Sequence, residues 1–290
     1  MKVGCAFLYT ITCYGFPPDF EDNLKALKEI KEMGFEAAEL EIDVEQNLEE
    51  YIDGREKVKS TLKELNLLVN DVICVIPQGF SMDKQPADET AKRFEKLAEL
   101  ASEFGSEYAA ICAYMPKEIE MIKGTEIYRG SPPTRVKVPK GFRWQDFWSN
   151  AVERFANLAE IAEKKGLKLV VENRVGDFIS TSDGLLRLLD DSKAKNAGIL
   201  LDVAHTNATK EHFGLVIPKL GKRLMFVHLS DNDGSTSAHG RIGTGNIDFK
   251  AIIESLKEIG FDGWLNIDIG TAENTRTVYQ EAKSIIENLL

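Results

Sequence analysis

The alternation of short apolar runs with longer amphipathic runs, repeated along the chain, restricts the fold more than any other feature of the sequence. The amphipathic runs tend to end in charged residues and a glycine, and an apolar run follows at once. Four such junctions are Lys31-Glu32-Met33-Gly34, Ser102-Glu103-Phe104-Gly105, Lys164-Lys165-Gly166 and Lys257-Glu258-Ile259-Gly260. Because glycine just past a helix end readily takes the left-handed conformation, each junction predicts a helix that turns into a strand.

These junctions predict eight strands that alternate with eight helices. The strands lie near residues 2–9, 36–42, 68–76, 108–114, 167–172, 197–203, 223–230 and 263–269. The helices lie near residues 20–33, 47–65, 87–104, 144–165, 181–190, 210–220, 248–259 and 273–289. Helical periodicity places five apolar residues on one face of the fourth helix: Phe147, Ala151, Phe155, Leu158 and Ala162.

Eight strand–helix pairs fit either a doubly wound sheet or a closed barrel. The strands are near-continuous apolar runs, such as residues 167–171, as expected of parallel strands covered by helices. The number of pairs and the helix that closes the chain favour an α/β fold, a single (β/α)8 TIM barrel over residues 1–290.

Two predicted connections are longer than turns, and both leave the strand ends where barrel active sites are built. Residues 115–143 form a long loop after strand 4, and residues 231–247, with four glycines, follow strand 7. For the loop after strand 4, a surface insertion and a lid over the barrel mouth agree equally well with the sequence.

Charge and composition exclude several classes of protein. The net charge of −11 argues against non-specific nucleic-acid binding, which needs clustered Lys and Arg. No apolar run approaches the roughly 20 residues of a membrane span, and the N-terminus lacks a signal-peptide pattern. The four cysteines have no CxxC spacing and are predicted to be reduced core residues. We therefore expect a cytoplasmic protein.

Polar side chains interrupt four successive strands at the same end. Strand five ends in Glu172, strand six in Asp202 with His205 three residues later, strand seven in His228, and strand eight carries Asp268. Burying such groups singly costs several kcal/mol each, and convergence on one cation removes that cost. The sequence therefore predicts one divalent metal ion, held by Glu172, Asp202, His228 and Asp268.

The composition of this ligand set narrows the choice of ion. One histidine and three carboxylates suit Mn²⁺, Mg²⁺ or Co²⁺, with Zn²⁺ also allowed. Taken singly, a strand-end carboxylate is more often a helix cap, and a lone histidine in an apolar segment is more often a core residue. Their register on four successive strands is what favours the metal site.

The same residues resemble the xylose-isomerase-like TIM barrels, a superfamily that holds sugar isomerases and epimerases, inosose dehydratases and AP-endonuclease-type nucleases. The resemblance lies in four motifs: Val-Val-Glu172-Asn, Asp202-Val-Ala-His205, Val-His228-Leu-Ser-Asp, and His-Gly-Arg-Ile-Gly-Thr-Gly-Asn-Ile-Asp-Phe over residues 239–249. Together these motifs are specific for the superfamily but not for a substrate.

The resemblance implies roles for individual residues. It implies a metal-binding set of Glu172, Asp202, His228 and Asp268. The first and last of these would also be the acid–base pair, and His205 would contact the substrate. His239 and Arg241 lie in the segment that usually reads His-x-Pro-x-Gly-x-Gly, and we expect both to contact the substrate. The resemblance also implies a small sugar or polyol substrate, and it leaves a homo-oligomer open.

The main departure from the family is Asp268, where the family usually has Glu. Aspartate is one methylene shorter, which removes about 1.3–1.5 Å of reach. It can ligate an ion that lies nearer strand eight, but its reach to a substrate proton is reduced. Either Glu172 is the single base, or the substrate lies closer to strand eight than usual.

The expected reaction is isomerisation or epimerisation of a sugar, ketose or polyol by proton transfer beside a carbonyl. A divalent ion would polarise the carbonyl, Glu172 would take the α-proton, and Asp268 or His205 would return or position one. Loss of a β-hydroxyl after the same abstraction would instead give an inosose-type dehydratase on the same scaffold.

Two other functions remain open. An AP-endonuclease-type metal phosphodiesterase would share five residues: Glu172, Asp202, His205, His228 and His239. Its metal cluster also needs histidines from the first half of the chain, where there are none, and Ser237 occupies one of its Asp positions. The non-enzyme alternative is a catalytically decayed sugar-binding barrel, which Asp268 suggests.

Strand two contains two glutamates that are two residues apart. Glu39 and Glu41 therefore face the same side of the strand, and Glu39 is a candidate to hydrogen-bond a substrate hydroxyl. An ion pair inside the barrel is the simpler alternative.

Overall fold

The strands of the computed structural model, which describes residues 1–122, 136–271 and 273–290, form one closed barrel and one small ribbon. They are β1 (Lys2–Cys5), β2 (Ala37–Asp43), β3 (Leu68–Val75), β4 (Tyr108–Cys112), β5 (Glu120–Met121), β6 (Val136–Lys137), β7 (Lys168–Glu172), β8 (Ala197–Asp202), β9 (Leu224–Leu229) and β10 (Trp264–Ile267). The barrel order is β1-β10-β9-β8-β7-β4-β3-β2, and all of its ladders are parallel. The predicted TIM barrel is therefore confirmed.

Helices cover the outside of the barrel and connect its strands. They are α1 (Leu8–Tyr14), α2 (Phe20–Glu32), α3 (Leu48–Leu65), α4 (Lys84–Glu103), α5 (Trp144–Lys164), α6 (Ser182–Ser192), α7 (Val203–Ala208), α8 (Phe213–Leu220), α9 (Phe249–Glu258) and α10 (Thr275–Leu289). The apolar face predicted for the helix at 144–165 is buried in α5. Within the described residues, no helix is long and apolar enough to cross a membrane.

Two of these helices were not predicted. The sequence predicts that residues 6–9 belong to the first strand, but β1 ends at Cys5 and α1 begins at Leu8. Tyr9 explains the difference, because its ring packs edge-on against Tyr279 at 5.1 Å and its hydroxyl donates to Glu29 at 2.9 Å. Tertiary packing thus overrides the β-branched and aromatic composition of this segment. The second is α7, which begins directly after β8.

The barrel interior changes from apolar to polar towards the mouth. Its lower part is an apolar cluster that includes Tyr108, Val170, Leu200 and Phe226. The Tyr108 and Phe226 rings meet edge-to-face at 5.7 Å, so this end of the barrel is filled and forms no pore. The buried polar residues that carry the site therefore lie above a closed apolar floor.

The long loop after strand four is described only at its two ends. These ends pair as the antiparallel ribbon of β5 and β6. Residues 123–135 lie outside the described residues, so the choice between a lid and a surface insertion stays a prediction.

Candidate active site at the mouth of the barrel

A cavity of about 180 Å³ opens at the C-terminal ends of the barrel strands. Six of the predicted site residues line it: Glu39, Glu172, His205, His228, His239 and Asp268. A larger groove of about 520 Å³ lies between α4 and α5, but none of these residues lines it. The chemistry expected from the sequence therefore belongs to the smaller cavity.

Strand register brings the predicted metal ligands together. Glu172 and Asp202 are the last residues of β7 and β8, and Asp268 directly follows β10. Asp202 and His228 are partners in the β8–β9 ladder. Because parallel strands present their carboxyl ends at one rim of the barrel, these four side chains point into the same space.

Two of the predicted carboxylate ligands, Glu172 and Asp268, approach the same nitrogen of His228. His228 Nδ1 lies 3.5 Å from Glu172 Oε1 and 3.8 Å from Asp268 Oδ2. Ligand atoms of Glu172, Asp202 and His228 all lie within 4.8 Å of one another. His239 Nε2 lies 3.1 Å from Asp202 Oδ2 and 3.2 Å from Asp268 Oδ2, and it links the two carboxylates. The structure thus brings together the predicted set.

The other nitrogen of His228 is held by Glu39. The Nε2–H of His228 donates to Glu39 Oε2 at 2.7 Å, and the side chain of Glu39 is 1% exposed. The same carboxylate accepts the Phe7 N–H at 3.0 Å and the Asn266 amide at 3.2 Å. These bonds orient the imidazole so that Nδ1 faces the cluster, and they leave Glu39 little surface for the predicted substrate contact.

The electrostatics of the cluster are dominated by its carboxylates. Burial favours a higher pKa for Glu172, but the hydrogen bond and charge of His228 lower it to about 2. Burial favours a lower pKa for His239, yet Asp202 and Asp268 raise it to about 9. Burial raises the pKa of Asp268 to about 7. The raised pKa of His239 shows that the buried carboxylates favour a positive charge beside them, which a cation would also supply.

The donor set fits a divalent ion. Three side-chain groups among the described residues could hold one: Glu172, Asp202 and His228; Asp202, His205 and His239; and Glu39, Asp71 and His228. The first group contains three of the four predicted ligands. The fourth, Asp268, lies beside this group, with its Oδ2 3.8 Å from His228 Nδ1. Carboxylate oxygens with one imidazole nitrogen are ligands that Mn²⁺, Mg²⁺, Co²⁺ and Zn²⁺ accept.

His205 and Arg241 have different surroundings. His205 is buried, its backbone N–H donates to Asp202 Oδ1 at 2.8 Å, and its ring meets that of His239 edge-to-face at 5.0 Å. Burial lowers the pKa of His205 to about 4, although Asp202 opposes this shift. Arg241 does not line the cavity, because its guanidinium pairs with Glu281 at 2.5 Å on the surface. The predicted substrate contact of Arg241 therefore lacks a geometric basis in this structure.

Sequence reasoning missed two residues beside Glu172. The thiol of Cys112, at the end of β4, donates to Glu172 Oε2 at 3.0 Å. Arg174 lines the cavity, stacks over the Tyr114 ring at 4.4 Å and pairs with Asp177 at 2.8 Å. Arg174 could have been found from the sequence, because it lies two residues after a strand-end glutamate. No local sequence pattern indicates that Cys112 contacts Glu172.

The glycine-rich segment after β9 is anchored by Asp231. Its Oδ2 accepts the N–H groups of Gly243 and Gly245, each at 2.9 Å, and its Oδ1 accepts that of Ile247 at 3.2 Å. A Cβ on Gly245 would lie 2.2 Å from the carbonyl oxygen of Asn232, so this close approach requires glycine. The anchored segment carries His239 to the cavity.

Parts of this chain are similar in sequence to other proteins. An uncharacterised protein of Methanocaldococcus jannaschii is 32% identical over 157 residues, which cover 49% of this chain and 54% of that protein. An L-ribulose 3-epimerase of Mesorhizobium japonicum is 29% identical over 148 residues, 50% of this chain and 48% of the enzyme. An inosose dehydratase of Geobacillus thermodenitrificans is 23% identical over 204 residues, 64% and 65% of the two chains. These matches span less than two thirds of each relative.

Solved structures share the whole fold. A D-psicose 3-epimerase from Clostridium cellulolyticum H10 superposes with a TM-score of 0.77 at 16% identity, covering 100% of this chain and 99% of that one. A 3-keto-D-glucoside 4-epimerase from E. coli superposes with a TM-score of 0.76 at 21% identity, covering 99% of both chains. The family model described as xylose isomerase-like TIM barrel matches residues 27–289. The chain therefore belongs to the xylose isomerase-like TIM barrel family.

Proposed function

We propose that the protein is a divalent-metal-dependent isomerase or epimerase that acts on a sugar, ketose or polyol by proton transfer beside a carbonyl. The observation that carries the proposal is the convergence of Glu172, Asp202, Asp268 and His228 Nδ1 at a cavity on the barrel mouth. The relatives named as L-ribulose and D-psicose 3-epimerases support the same reaction class.

A divalent ion held by Glu172, Asp202, His228 and Asp268 would supply Lewis-acid polarisation of the substrate carbonyl. Glu172 lies at the cavity as an ionised carboxylate and takes the proton from the carbon next to that carbonyl. Its Oε2 is held by the Cys112 thiol, which restricts its orientation. His205 and His239 line the same cavity and position the substrate hydroxyls. Asp268 completes the ligand set and holds His239.

A dehydratase is the second candidate, because inosose dehydratases are among the relatives. Abstraction of the same proton by Glu172, followed by loss of a β-hydroxyl, needs no further residue at the site. We do not extend the proposal to phosphodiester cleavage, because Ser237 replaces one acidic ligand of that cluster and the first half of the chain has no histidine.

The test is proton exchange in deuterated water. The protein, supplied with Mn²⁺, Co²⁺ or Mg²⁺, is incubated with ketopentoses, ketohexoses, 3-keto-glycosides and inososes, and the products are followed by NMR. Deuterium at the carbon next to the carbonyl together with a new epimer or isomer supports the proposal. A dehydrated product assigns the second candidate instead. Binding of a polyol without any exchange contradicts both and indicates a sugar-binding barrel.

Glu39→Gln is expected to weaken binding of the divalent ion about 10–100-fold, as loss of a carboxylate that orients a ligating histidine does elsewhere. The neutral amide no longer favours the Nε2–H form of His228 that leaves Nδ1 free for the ion. Ion affinity is measured by competition with a chelating indicator. Glu45→Gln, an exposed change beyond the same strand, is the control. Equal affinities for the two variants would refute the orienting role.

A further inference from the structure

Glu41 lines the cavity, and the proposed mechanism does not use its carboxyl group. It lies on β2, two residues beyond Glu39, and its partner in the β2–β3 ladder is Ile73, which also lines the cavity. Within residues 1–122, 136–271 and 273–290, no hydrogen bond or ion pair engages the Glu41 carboxyl, whereas Glu39 is fully engaged. Of the two glutamates of β2, Glu39 therefore holds His228, and the carboxyl of Glu41 is left for another role.

The strand order places Glu41 across the mouth from Glu172. In the closed barrel β2 is reached from β7 through β4 and β3, and β10 is reached from β7 through β8 and β9. Both strands therefore lie three positions away from β7, on its two sides. A substrate bound over the cavity meets Glu172 from one side and Glu41 or Asp268 from the other.

Asp268 is poorly suited to be the group that faces Glu172. Its Oδ2 lies 3.2 Å from His239 Nε2 and 3.8 Å from His228 Nδ1, which engages it in the ligand cluster. It is also shorter than glutamate by about 1.3–1.5 Å. Glu41 has the longer side chain, and within the described residues no hydrogen bond or ion pair engages its carboxyl, although the charge of Arg174 acts on it. Reach and availability both favour Glu41.

The protonation state of Glu41 suits a proton donor. Burial, reinforced by the negative charge of Glu39, raises its pKa to about 8, and Arg174 opposes this shift. Glu172 and Asp268 face the same space and raise the pKa further. The pKa of Glu41 is thus raised and that of Glu172 lowered, which is the direction of difference that separates an acid from a base.

We propose that Glu41 is the second proton-transfer group of this site, and that it acts on the face of the substrate opposite to Glu172. This rests on the proposed isomerase or epimerase function. The Glu172 carboxylate takes the α-proton, and the C–H electron pair forms the carbon–carbon double bond of an enediolate. Glu41 then gives its proton to the same carbon from the other face, and the carbonyl re-forms. Transfer of a proton from Glu172 to solvent and from solvent to Glu41 restores the enzyme.

Glu41→Gln separates the two halves of this reaction in deuterated water. The variant is expected to form the epimer at least about 100-fold more slowly than the wild type, which is the loss expected on removing a general acid. It should still incorporate deuterium at the α-carbon with retained configuration, because Glu172 can return a solvent deuteron to the same face. Glu45→Gln, which makes the same chemical change outside the cavity, should epimerise like the wild type.

Three outcomes would overturn the proposal. Epimer formation by Glu41→Gln at the wild-type rate would show that another group protonates the second face. If Glu41→Gln lost exchange and epimer formation equally, with ion affinity unchanged, Glu41 would not be a separate proton donor to the substrate face opposite to Glu172. Absence of exchange by the wild type with every sugar tested would refute the proposed function itself, and the role of Glu41 with it.

Discussion

Glu172→Gln is expected to lower kcat by about 10²–10⁴-fold on any sugar that the wild type converts, which is the contribution typical of a general base. Glutamine keeps the size of the side chain but cannot accept the α-proton. Deuterium exchange at the α-carbon should fall together with conversion, unlike in Glu41→Gln. Steady-state kinetics and NMR on the same samples measure both quantities. Glu163→Gln, an exposed change in α5, is the matched control.

Glu172 is also a proposed ligand, so its two roles must be separated. The kinetics are therefore measured at saturating Mn²⁺, and the ion content of Glu172→Gln is determined alongside. Activity restored by excess ion would assign Glu172 to ion binding alone. Full kcat with normal ion content would show that the base is a different residue, and Asp268 or His205 would be the next to test.

The barrel could be predicted because its signals are local and repeated. The glycines at the four helix-to-strand junctions have the expected positive φ: Gly34 (88°), Gly105 (81°), Gly166 (78°) and Gly260 (70°). Each junction depends on a backbone conformation that other residues resist, so the sequence carries this information directly. A helix whose formation depends on distant partners lacks such a signal. In α1, the contacts of Tyr9 with Glu29 and Tyr279 are formed only after folding.

The site could be predicted only in part, for a similar physical reason. Carboxyl ends of parallel strands share one rim, so strand-end residues such as Asp202 and His228 were expected to converge. Alternation along β2 placed Glu39 and Glu41 on one side but did not separate their surroundings. That separation depends on distances between β2 and β9, as does the pairing of Arg241 with Glu281 on a distant helix. Such distances follow from packing and have no local pattern.

His228→Ala is expected to abolish binding of the divalent ion, with a larger loss than the about 10–100-fold expected for its partner Glu39. The change removes the nitrogen at the centre of the cluster and leaves three carboxylates to repel one another. Elemental analysis of protein purified with Mn²⁺ should find about one ion per wild-type chain, the number expected from a single site with these four ligands. His212→Ala, which removes an exposed histidine outside the cavity, should retain the ion.

Removal of His228 also leaves the Glu39 carboxylate buried beside an empty space, which costs about 3–5 kcal/mol of folding free energy when a buried pair is broken. His228→Gln is therefore tested beside it, because the glutamine amide retains a donor for Glu39. Both variants are checked by circular dichroism before ion content is measured. A folded variant that keeps its ion would remove His228 from the ligand set. A wild type that takes up no ion would refute the metal-dependent mechanism, and two or three ions per chain would favour the phosphodiesterase-type cluster.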